Sequence, residues 1–169
     1  MGEVTVADSM DHNAGPGSWS TRVCIPIAAG LFVLALTVSA IVVPQLRLLH
    51  LLQALIYVAV VILAWRRSSW GFGAGVTIAI FWNSLNLFVT HLMQAGAIAF
   101  WSFLRTGQVR RLDTMMVTLA GLAHFVLIVG CLIAFLDPRT DSKKRWKFVA
   151  GGVGALAYLA IIIAIARPR

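Results

Sequence analysis

Residues 114–136 read TMMVTLAGLAHFVLIVGCLIAFL, a run with no Asp, Glu, Lys or Arg and one histidine, His124, near its middle. About 20 such residues, each rising ~1.5 Å along a helix, cross the ~30 Å hydrocarbon core of a bilayer. Asp137 and Pro138 follow at once, a carboxylate and then a ring without an N–H, and close the helix. The stretch therefore reads as a membrane span, and it carries an ionisable side chain at depth. Such side chains are costly in lipid, face a bundle interior and often mark a functional site.

Four more apolar runs have the same character. Val23–Val43 starts with Pro26 in its first turn and stops at Pro44; Leu46–Trp65 is closed by Arg66-Arg67; Trp70–Leu104 holds no charge; Phe148–Ala166 ends in Arg167-Pro168-Arg169. The expected fold is all-α, a polytopic membrane helix bundle of five transmembrane helices over about 23–43, 46–65, 71–104, 113–136 and 147–166. Residues 21–169 form one domain in this reading. Residues 1–20 are polar, rich in small residues and hold three of the six acidic residues, so they are expected to be a disordered tail. Val38-Ser39-Ala40 resembles a cleavage site, but the long acidic region before the first run is unlike a signal peptide's short basic start.

Composition agrees. The 169 residues are 60% apolar and only 12% charged, where soluble domains average roughly 25% charged. The net charge of +8 is basic, yet its Lys and Arg sit at the ends of apolar runs, as headgroup anchors do; nucleic acid is not the expected partner. Trp65, Trp70, Trp101 and Trp146 stand near run ends as an aromatic belt would. Cys24 and Cys131 lie in apolar runs without metal-ligand spacing and read as small buried hydrophobes.

The third run is longer than a bilayer needs. About 33 helical residues would reach ~50 Å. One long tilted helix is the expectation, with a break near Gly71–Gly75 or Gly96 as the alternative. Basic residues divide eight to six between the two sides, a bias toward a cytoplasmic N-terminus and an outside C-terminus.

Polar residues inside the runs mark the site. Asn83, Asn86, Thr90, Gln94, Ala97 and Trp101 recur at spacings of three and four and share one helix face, with His91 and Ser84 beside it. The second run contributes Arg47, His50, Ala54 and Tyr57 on one face, flanked by Gln53. The fourth offers Thr114, Thr118, Gly121 and His124. His91 lies 17 residues before Gln108 and His124 lies 16 after it, so antiparallel helices hinged there set both rings at one depth. That pairing is the geometry of a bis-imidazole haem b site, or of a quinone pocket. The ligand-binding set is thus His91, His124, His50, Asn83, Asn86, Thr90, Gln94, Gln53, Tyr57 and Arg47, with His91 and His124 as the metal-ligating pair if haem is held.

Several classes drop out. All six acidic residues fall outside the apolar runs, which counts against cation-coupled transport and intramembrane aspartyl chemistry. Every lysine is in one loop, so no retinal Schiff base forms at depth, and no H-E-x-x-H occurs. Ser84 and His91 are two turns apart, too far for a nucleophile–base pair. Three readings remain: a non-enzymatic ligand-binding or complex-subunit bundle, partnered by lipid, other membrane subunits or its own copies; a redox anchor; and a channel or facilitator for a neutral or anionic solute. Cysteines introduced at positions 13 and 141 are expected to be labelled from the same side of the membrane. Labelling from opposite sides would mean that one span has been miscounted.

Overall fold

The computed structural model describes residues 16–109, 112–138 and 144–165. Among these there are six helices and no strand. Five are long and apolar enough to cross a membrane: α1 (Gly17–Val42), α2 (Pro44–Trp65), α3 (Ser69–Val89), α5 (Leu112–Leu136) and α6 (Arg145–Ile165). The sixth, α4 (Leu92–Thr106), has 15 residues and is too short to do so. The all-α bundle of five apolar spans expected from the runs is the architecture found.

Local chemistry explains the helix ends. Pro26 lacks an N–H, and just ahead of it α1 opens into a π-turn, Ser20–Cys24, where the Ile25 N–H reaches back to Ser20 O. Pro44 stops α1 and starts the 3-10 turn Pro44–Leu46 that leads into α2. The Arg47 Nε donates to Ala40 O at 3.1 Å and ties the two helices across that turn. Between α2 and α3, Arg67 takes a positive φ of 52° and its N–H bonds Ala64 O at 2.8 Å, turning the chain within a few residues.

Two expectations need correction. Helix begins at Pro16 rather than at residue 23, so residues 16–20 are not part of a disordered tail; residues 1–15 lie outside the described part. The polar side chains there have partners: the Ser20 hydroxyl donates to Gly130 O at 2.6 Å and Thr21 Oγ1 to Ser18 O at 3.1 Å, both buried. The third run, moreover, is not one helix. Ser69–Ser84 passes into a π-turn, Leu85–Val89, whose last bond runs from Thr90 N–H to Leu85 O, and the helix then breaks at His91 with φ 55° and ψ 16°. A left-handed residue cannot continue a right-handed helix, so α4 starts afresh at Leu92. Neither suspected glycine cluster makes the break.

The glycines instead make contacts. Gly73 lies against the Phe148 backbone, Gly151 against the Trp70 backbone, and Gly152 against Thr77. These draw α3 and α6 together side by side, as small residues do between membrane helices. Gly96 seats α4 on Thr114 and Thr118 of α5.

Gly73→Ala would place a methyl group on the Phe148 carbonyl, and such overpacking costs about 1–3 kcal/mol. Gly30→Ala, facing open space on α1, should leave thermal unfolding in detergent unchanged or slightly improved. Equal tolerance of the two would show that α3 and α6 do not depend on that approach.

Candidate functional site

Four spans meet at His124. Its ring is 1% exposed, with Nε2 2.7 Å from the Tyr57 hydroxyl and Nδ1 2.9 Å from Asn83 Oδ1. Asn83 turns its Nδ2 toward Gly121 O at 3.5 Å, which presents the acceptor oxygen to the imidazole. Because Oδ1 only accepts, Nδ1 carries the proton, and Nε2 accepts from the Tyr57 O–H in a neutral ring. The chain of donors therefore runs Tyr57 to His124 to Asn83 to the Gly121 carbonyl. Phe32 of α1 closes it from the side, its ring 4.1 Å from the imidazole and 4.3 Å from Tyr57, centroid to centroid.

Next to this network lies a cavity of about 240 Å³ at the end of the bundle that holds the Pro44–Leu46 turn. Phe32 is the wall the two share. Most of the lining is apolar, including Leu36, Leu49, Met116 and Val117, with His50, Gln53, Trp82 and Asn86 among the polar side chains. His50 is 9% exposed and its Nδ1 has no hydrogen-bond partner; the Trp82 indole Nε1 is likewise buried and unpaired. A buried polar atom left unpaired costs about 1–3 kcal/mol, so two on side chains that line one cavity call for a reason. The π-turn and the break reach the same space through Leu85, Thr90 and Leu92. Irregular backbone at membrane depth is tolerated where it lines a cavity or is packed in protein.

The residues singled out in the sequence thus divide three ways. Tyr57, Asn83 and His124 form the network. His50, Gln53, Asn86 and Thr90 line the cavity, with the Thr90 hydroxyl 3.4 Å from Asn86 Oδ1. His91, Gln94 and Arg47 are exposed and belong to neither. The His91–His124 pair does not form: the break swings His91 to the outside, and both nitrogens of His124 are engaged within the protein. The common face of Asn83, Asn86, Thr90, Gln94, Ala97 and Trp101 ends at the same break, leaving Gln94, Ala97 and Trp101 exposed on α4. Asp113 departs from expectation too, since it lies in the first turn of a span and lines the cavity.

Phe32 and Trp82 were not anticipated. Phe32 carried no signal within an apolar run. Trp82 did carry one: it sits in mid-run beside Asn83, far from the run ends where anchoring tryptophans stand.

Fold and site together define an α-helical membrane bundle whose polar network and cavity are separated by apolar core from the buried Ser20, Thr21 and Ser69 at the other end. No protein-family model, curated protein or solved structure matches the chain. Among the described residues, no three His, Cys, Asp or Glu side chains gather closely enough to hold a metal ion.

Tyr57→Phe removes the donor to His124 Nε2, and Asn83→Leu removes the acceptor for Nδ1. Each should cost on the order of 1–3 kcal/mol in unfolding free energy. Because both act on one ring, the double variant should lose clearly less than the sum. Additivity within ~0.5 kcal/mol in denaturant titrations would mean that the two bonds are independent.

Proposed function

We propose that the protein is a membrane-embedded binding protein for a small neutral amphiphile, whose head enters the cavity beside Phe32. The carrying observation is the pair of buried, unpaired polar atoms, His50 Nδ1 and Trp82 Nε1, on two side chains that line one mostly apolar space. An indole N–H only donates, so the ligand head must offer an acceptor: a carbonyl, ether or hydroxyl oxygen. Among the described residues no Lys or Arg lines the cavity, which favours a neutral head over an anionic one. At about 240 Å³ the space falls just below the ~300–1,000 Å³ of sites that enclose drug-sized molecules, and suits a head group or single ring. Leu46 and Leu92 at its rim are both exposed, which leaves room for an apolar tail to run out into lipid.

Binding is favoured over conduction because apolar core interrupts the buried polar side chains between His124 and the Ser20, Thr21 and Ser69 of the other end. Beyond His124 the buried core turns to Val60, Ala64, Phe72, Leu127 and Cys131, an apolar plug for any solute path. A haem held by His124 is disfavoured by the engagement of both its nitrogens. A quinone head remains within the proposed class, with its carbonyl on Trp82 and His50 rather than between His91 and His124.

Removing an unpaired atom should stabilise the empty protein. Trp82→Phe and His50→Leu are each expected to raise unfolding free energy by on the order of 1 kcal/mol while abolishing ligand stabilisation. The probes are a decyl-substituted benzoquinone and 1-decanol, with decylbenzene as a control that has no acceptor. In thermal unfolding, the first two should stabilise the wild type in proportion to occupancy and the control should not. If neither acceptor-bearing probe moves unfolding further than decylbenzene does, the reading fails.

A further inference from the structure

A second feature lies toward the opposite end of the bundle. An apolar crevice of about 340 Å³ runs between α2, α3 and α6, walled by Leu55, Leu63, Trp70, Ala155 and Tyr158. Tyr158 offers it nothing polar, because its hydroxyl already donates to Leu52 O at 2.6 Å. Gly154 on α6 adjoins the crevice with open space where a side chain would stand. The crevice begins near Trp70, and Arg66 and Arg67 lie in the turn just before it. Arg145 opens α6 six residues ahead of Gly151, another lining residue and about 9 Å along the helix. Trp65, Trp70 and Trp146 are exposed at the neighbouring ends of α2, α3 and α6, as an interfacial aromatic belt would place them.

The described arginines of the two ends behave differently. Toward the cavity end, Arg47 donates to Ala40 O and Arg105 lies 5.0 Å over the Trp101 ring, so both are engaged within the chain. At the crevice end, Arg66, Arg67 and Arg145 make no ion pair among the described residues. Three arginines with no ion pair among the described residues, in the turn and helix start that lead into an apolar groove, match one kind of molecule, with an anionic oxygen cluster at one end and a hydrocarbon chain at the other.

We infer that this crevice is a binding site for one anionic phospholipid. An acyl chain lies between α2, α3 and α6, and the phosphate meets Arg66, Arg67 and Arg145. The site shares no lining residue with the cavity beside Phe32, so either one can exist without the other.

Native mass spectrometry of the purified full-length protein in detergent tests it, with phosphatidylglycerol and phosphatidylcholine of identical acyl chains added together. The wild type is expected to retain phosphatidylglycerol over phosphatidylcholine by roughly tenfold or more. Arg66→Gln, Arg67→Gln and Arg145→Gln combined should bring that ratio near one. Gly154→Leu starts from a Cβ with no atom within 4 Å, extends its side chain over the crevice and favours helix, so the protein stays folded while phosphatidylglycerol retention falls severalfold. A triple variant that keeps the preference would overturn the headgroup assignment. A Gly154→Leu protein that retains the lipid as the wild type does would reduce the site to surface charge and overturn the crevice.

Discussion

An imidazole in the middle of a membrane helix must have both nitrogens satisfied by protein, because lipid offers no partner. His124 meets that demand with one group from α2 and one from α3, and Phe32 from α1 covers its face. The partners lie 67 and 41 residues away in sequence. Four spans are thereby held in one rotational setting. Hydrophobic length places each helix across a membrane but says nothing about rotation about its own axis. The network supplies that information, since turning α2, α3 or α5 would leave a buried donor or acceptor without a partner, and turning α1 would withdraw Phe32 from the ring.

The break in the third apolar run follows from the same geometry. Asn83 must face His124, and the segment after it must also bring α4 onto α5, where Gly96 meets Thr114 and Thr118. A straight helix cannot supply both rotations. The π-turn and the left-handed His91 take up the difference, and Leu85, Thr90 and Leu92 of this irregular stretch line the same space as His50 and Trp82. Two unpaired atoms in that space lower stability, a cost that a binding site carries when its ligand is absent.

Much of the site was legible in the run of residues, but its grouping was not. Polar side chains inside apolar stretches had to face inward, and Tyr57, Asn83 and His124 do. Matching His91 to His124 by distance from Gln108 addressed depth but not direction: Leu92–Thr106 is one helix, yet His91, left-handed at the break before it, is exposed while His124 is buried. Neither Thr90 nor His91 is glycine or proline, the residues whose own chemistry announces a break. Gly73, Gly96, Gly151 and Gly152 proved to be places where helices approach, because a missing side chain serves close packing as well as a turn.

The sequence alone determined the number of spans, their limits to within a few residues apart from the start of the first and the end of the third, and the rule that polar atoms at depth must turn away from lipid. These are local properties: apolar length against bilayer thickness, proline against helix hydrogen bonding, charge against hydrocarbon. Only the tertiary structure decided which polar residues meet, where the third run breaks, and that Phe32, Trp82 and Asp113 belong to the cavity. Those outcomes depend on contacts between segments tens of residues apart. The periodicity of one helix cannot specify the rotation of its neighbour, so they could be read only once the spans were packed.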